Sequence, residues 1–226
     1  MSVRGVLKEA WHLYVGLFWR GLLVAAAIFL VLDLVGAAAS APASSKLAVL
    51  LAAVFVSLLT GFGDLVVEGA LAEDSRELDE GRPPLPLKDL AGRMGSRLGI
   101  FVFASLVYAA CVNFGLLLLV VPGLIIATRW SLIVPVIVFE DRGICDGFAR
   151  SNRLVKGNGW RVFWVIAIVF VLSGILESLV RYLLFWIPEF YADWVGGYIA
   201  SLIAAPYVAH SLAVVYYRLV DLDRSS

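Results

Sequence analysis

The stretch PGLIIATRWSLIVPVIVFEDRGICDGFARSNRLVKGNGWR, residues 122–161, decides the fold. Its first part, 122–139, reads as a membrane span, which needs about 20 apolar residues. One charge interrupts it, Arg129. A guanidinium is costly at mid-bilayer, so it calls for a partner or a wet cavity. The second part, 140–161, is dense in polar residues and carries apolar ones at helical spacing. A span followed by an amphipathic segment describes a polytopic membrane protein, and the rest of the chain follows the same alternation.

Composition agrees. Of 226 residues, 62% are hydrophobic and 16% charged, against about 45–50% and about 25% in soluble domains. Formal net charge is zero, so no global field points to a nucleic-acid partner. Cys111 and Cys145 are far apart and imply neither a disulfide framework nor a metal cluster. Residues 1–20 lack a short apolar core with a small-residue cleavage site, so no cleavable signal is expected.

Six spans fit a single membrane domain, 1–226: about 21–39, 47–71, 98–121, 122–139, 162–185 and 194–219. Spans three and four meet at Val121-Pro122-Gly123, where proline opens a helix and glycine lets the chain reverse. The linker 36–45 is small and polar. Lys and Arg collect on one side: Arg4, Lys8 and Arg20, then 76–97, 142–161, Arg218 and Arg224. Lys46 and Arg181 fall on the other, with Arg129 between. That asymmetry predicts both termini in the cytoplasm and places the chain in the cytoplasmic membrane. Trp11, Trp19, Trp160, Trp186, Trp194, Tyr216 and Tyr217 suit interfacial belts.

Three cytoplasmic segments have amphipathic helical spacing and precede spans one, three and five: about 3–19, 86–97 and 144–157. The first presents Val3, Leu7, Trp11, Tyr14 and Phe18 on one face. Such helices are expected to lie in the interface. The arrangement reads as a unit of interfacial helix, span and return span repeated three times, with Phe18-Trp19-Arg20 and Gly159-Trp160-Arg161 in equivalent places. Segment 73–85, EDSRELDEGRPPL, reads as a solvated loop rather than a ligand site.

At 1.5 Å per helical residue, Arg129 lies roughly 15 Å from the cytoplasmic end of its span, Asp33 about 18 Å, His210 about 14 Å, Asp64 about 10 Å and Glu177 about 22 Å. Asp33 is the best level match for Arg129. The set forms either an ion pair that fixes helix packing or a polar cavity for an anionic headgroup or proton relay. Asp64 and Glu68 share a helix face at i, i+4. Glu140 is placed to clasp Arg150 or Arg153 on the following helix, and Arg150, Arg153 and Lys156 offer contacts for anionic lipid phosphates.

No catalytic constellation emerges, and the chain reads as non-enzymatic with no cofactor or metal. His-Glu-x-x-His, P-loop and glycine-rich dinucleotide patterns are absent. Ser173-Gly174 in span five and His210 in span six suggest a serine–histidine pair, but the first glycine of the intramembrane-protease signature is missing.

Residues 122–161 resemble the membrane domain of the glycerophosphodiester phosphodiesterase membrane-domain family. The resemblance rests on Pro122-Gly123, Arg129, Pro135 and Glu140, then Ala149-Arg150-Ser151, Leu154-Val155-Lys156-Gly157 and Trp160-Arg161. Phe148-Ala149 stands where small-residue pairs are frequent, and Asn152 where an aromatic is common. The resemblance implies the membrane fold, not phosphodiesterase activity, whose residues belong to a separate domain in some members. The expected role is binding, organising or moving lipid or another amphiphile. The alternatives are a small secondary transporter or channel using the Arg/Asp/His layer, and an accessory subunit that docks a partner enzyme or transporter.

Overall fold

Apolar runs in lipid must satisfy their own backbone, which helices do. The structure, a computed structural model, describes residues 2–39, 45–186 and 189–225. Among them every regular element is helical: α1 (Val3–Gly16), α2 (Phe18–Ala39), α3 (Lys46–Asp79), α4 (Leu87–Leu118), α5 (Val120–Trp130), α6 (Ile133–Glu140), α7 (Ile144–Val155), α8 (Gly159–Leu183) and α9 (Glu189–Ser225). Six segments are long and apolar enough to cross a membrane: Phe18–Gly36, Leu47–Asp79, Leu87–Leu118, Val120–Glu140, Gly159–Leu183 and Val195–Arg224. Their order matches the six expected spans. Of the expected 36–45 linker, 36–39 are instead the end of α2, Ser45 caps α3, and 40–44 lie outside the described residues.

The largest departure is α3. It has 34 residues, or about 51 Å of helix, far more than a hydrocarbon core of about 30 Å. The expected loop 73–85 is therefore helical through Asp79, and Glu73, Asp74 and Glu77 on it are buried. Packing explains this. α3 lies against α2, α4, α6 and α9, so its acidic end is enclosed by neighbours whose arginines meet it.

The expected interfacial helix 86–97 is not a separate element. It is the first third of α4, which runs unbroken from Leu87. Leu90, Met94, Phe101 and Ala104 form one buried stripe, and no proline interrupts it. Helices α1 and α7 are separate. Ser2 caps α1, its side chain accepting from Gly5 N–H at 3.4 Å. The inward face of α1 is Val6, Ala10 and Tyr14, a register shifted from the expected one, because α9 rather than lipid covers it. Trp11, Trp19, Trp160 and Trp186 are exposed. Tyr216, expected in the belt, is buried, and the Trp194 side chain is outside the described part.

Spans three and four turn one step earlier than expected, at Leu119, which is extended (φ −159°, ψ 136°). Pro122 then sits in the first turn of α5, where its missing N–H would be unpaired anyway. The hairpin requires glycine at two places. A Cβ on Gly123 would stand 2.5 Å from the Leu116 side chain, and one on Gly115 2.9 Å from Gly123 Cα.

Span four is two helices. It breaks between Trp130 and Ile133, because Pro135 has no N–H to offer the Ser131 carbonyl one turn back. Two apolar clusters fill the interior on either side of α6. One joins α2, α3 and α4; the other joins α1, α7, α8 and α9.

Candidate functional site

Two polar regions stand out, and α3 contributes to both. At the charged end, Arg20 from α2 makes a two-pronged bond to Asp74, Nε–Oδ2 at 2.6 Å and Nη2–Oδ1 at 2.9 Å, and also reaches the Leu85 carbonyl. Arg97 from α4 donates to Glu73 and to Asp141, each at 3.0 Å. Arg93 donates to Glu73 at 3.2 Å and Glu77 at 3.4 Å, and Arg82 meets Glu77 at 2.5 Å. Burial of carboxylates this complete is tolerated only with such pairing.

A second knot holds α7. Glu140 accepts from Arg142 (2.6 Å), Arg150 (3.0 Å) and the Tyr216 hydroxyl (3.0 Å), and Arg150 also donates to Asp223 at 2.9 Å. The expected clasp forms through Arg150, not Arg153. Burial opposes the charge on Arg150, but the bonds to Asp223 and Glu140 outweigh it and hold the guanidinium above its ordinary pKa. Two carboxylates occupy Arg150, so it does not join Arg153 and Lys156 in an open basic cluster. Those two are exposed and make no ion pair among the described residues.

Ser151 is fully buried. Its hydroxyl donates to the Arg129 carbonyl at 2.8 Å and accepts from Leu132 N–H at 3.2 Å. One side chain on α7 thus serves both orphaned backbone groups at the break in span four. Gly147, one turn earlier, lets α7 approach: a Cβ there would meet Ile137 at 3.2 Å.

The layer expected around Arg129 is not assembled. The Arg129 side chain is exposed and makes no ion pair or hydrogen bond among the described residues. Asp33 is half-buried on α2 and is not joined to it. Glu177 is exposed and meets Arg181 of its own helix at 3.2 Å. His210 is fully buried, with Nδ1 3.3 Å from Ser75 Oγ. Ser75 Oγ also donates to the Leu71 carbonyl at 2.8 Å, and His210 Nε2 is buried with no hydrogen-bond partner among the described residues. Equal depth did not bring these groups together, because depth says nothing about which way a helix turns each side chain. Ser173 bonds the Val169 carbonyl at 3.0 Å, so Ser173 and His210 are not paired.

Asp64 is different. It and Glu68 face a cavity of about 400 Å³. One wall is α3 and α4, with Gly61, Ser105 and Tyr108. The other is α8 and α9, with Val165, Phe170 and Leu212. Ser131 and Ile133, the two sides of the break in span four, border it too. Neither carboxylate has a hydrogen bond or a cationic partner among the described residues, and Glu68 Oε1 is buried and unpaired. A larger cleft of about 880 Å³ lies at the charged end. Its charges are of both signs and several are already matched, as in Arg76–Glu80 and Arg218–Glu9, so the inner cavity is the better candidate. Among the described residues no three His, Cys, Asp or Glu gather closely enough to hold a metal.

The i, i+4 acids were visible in the sequence. What it could not show was the gap they face, formed because α3 and α8 hardly touch. Comparison of the chain with family models, curated proteins and solved structures finds no match.

Proposed function

We propose that this protein is a multi-pass membrane module that binds, organises or moves a lipid or other amphiphile, and that the cavity between α3, α4, α8 and α9 receives it. The observation that carries the reading is the pairing of that cavity with a broken span. Non-helical backbone at membrane depth is tolerated where it lines a cavity, and discontinuous helices border many transport sites. A volume of about 400 Å³ lies in the range of small-ligand pockets, roughly 300–1,000 Å³. Exposed Gly61 and Phe170 on its rim give it a mouth toward the acyl chains.

The charged end is assigned to the cytoplasm of the cell membrane, since it gathers most of the Lys and Arg. Helices α1 and α7 then lie at that leaflet, and the exposed Arg153, Lys156 and Trp160 are available to anionic headgroups. The resemblance of 122–161 to the glycerophosphodiester phosphodiesterase membrane domain agrees with this reading. Of the residues that carry it, Pro122, Gly123, Pro135, Glu140, Arg150 and Ser151 serve the hairpin, the break or the clasp, whereas the Arg129 side chain does not. A transporter is the second reading, favoured by the unpaired acids; it uses Asp64 and Glu68 in place of the Arg129–Asp33–His210 layer.

The test is photo-cross-linking of the purified protein in nanodiscs doped with a diazirine-bearing phosphatidylcholine, with labelled residues mapped by mass spectrometry. Labels are expected on cavity residues of α4 and α8, around Tyr108 and Val169. Gly61→Leu should suppress them, because a Cβ at Gly61 meets nothing within 4 Å and the longer side chain fills open space. Labelling confined to the outer surface, such as the exposed Leu117–Val121 turn, and unaffected by Gly61→Leu would overturn the assignment.

A further inference from the structure

From the same cavity we infer the charge of its occupant: an amphiphile with a cationic, ammonium-type head, held by Asp64 and Glu68. This rests on the cavity being a ligand site. The two acids stand one turn apart on α3, so their side chains rise on one face. Both border the cavity, and Glu68 is 8% exposed with an unpaired Oε1. An unpartnered acid so deeply enclosed is rare, and other buried acids on α3 are paired with arginine. Here no Lys, Arg or His lines the cavity. The other titratable residue in the lining is Tyr108 on α4, which offers a hydroxyl but no positive charge.

A cationic head on the occupant would supply the partner that these acids lack among the described residues. A bare metal ion would leave most of the space empty: a water molecule's share of liquid volume is only about 30 Å³. Leu65, Ile133, Val165, Ile166, Val169 and Leu212 give the cavity an aliphatic surface that suits a hydrocarbon body, beside small polar residues such as Ser105 and Asn113. Trp130, fixed by its ring contact with Phe148 at 4.5 Å, and Phe170 add aromatic surface of the kind that favours ammonium groups. An anionic head is disfavoured, because the lining offers two carboxyl groups and no Lys, Arg or His to meet it, and Arg129 makes no part of the lining.

The experiment is competition against the photoactivatable phosphatidylcholine in nanodiscs by dodecyltrimethylammonium, dodecanol and dodecyl sulfate. The ammonium compound should protect the cavity residues at about tenfold lower concentration than the other two, the size of one charge-assisted contact. The double variant D64N/E68Q should erase that preference while keeping protection by dodecanol, which also shows that the variant is folded. Equal protection by all three heads, or a preference that survives D64N/E68Q, would overturn the ammonium assignment and leave the amphiphile site standing. Absence of any cavity labelling in the native protein would overturn both.

Discussion

Helix α3 carries two sets of acids that the protein treats in opposite ways, one buried among arginines and the other bordering a cavity, with Glu68 buried and Asp64 exposed. Glu73, Asp74 and Glu77, near its end, are each met by arginine from a neighbouring element. Asp64 and Glu68, about one to four turns earlier, have no such partner among the described residues and border open volume instead. The paired set fastens α2 and α4 to α3. The unpaired set pays no such structural dividend, so its persistence at membrane depth is the stronger hint of function.

Isosteric amides at matched places measure this difference. Asp74→Asn should have the largest effect, lowering stability by about 3 kcal/mol, since it leaves Arg20 without its partner in a partly buried site. Thermal unfolding in detergent reads it, and an unchanged midpoint would remove the claim that the charged end is the fastening. Ser151→Ala should follow, at about 1–3 kcal/mol, because both the Arg129 carbonyl and Leu132 N–H lose a buried partner. Hydrogen exchange should quicken at 129–133 before other parts of α5 and α6; uniform exchange across the protein would argue against a local splint. Glu68→Gln should shift stability by less than about 1 kcal/mol, toward a gain, because it removes a charge that nothing compensates. A loss as large as that of Asp74→Asn would mean that Glu68 too is a fastening. Arg129→Met should be the mildest, within about 0.5 kcal/mol, as for other surface changes. A marked loss of folded yield would show that the guanidinium has a role its exposed position does not reveal.

Much of the fold was legible from local signals. The apolar runs located the six spans, and Pro122-Gly123 placed the hairpin within a few residues. A clasp from Glu140 to Arg150 or Arg153 was readable from their separation, and the structure chose Arg150. The segment EDSRELDE was misread for a physical reason: a cluster of charges looks solvated until one knows that arginines on α2 and α4 meet it. Arg129 was misread in the converse way. Its depth implied a partner, but it is the residue's carbonyl that is held, by a serine more than twenty positions along the chain.

The sequence by itself determined the six apolar spans and their order, because hydropathy acts locally along the chain. It also marked Asp64 and Glu68 as neighbours on one face, since helical periodicity needs no tertiary information. Only the tertiary structure decided which acids are neutralised and which are left open. That depends on how each helix is rotated about its axis and how closely it meets its neighbours, quantities set by packing between residues far apart in the chain.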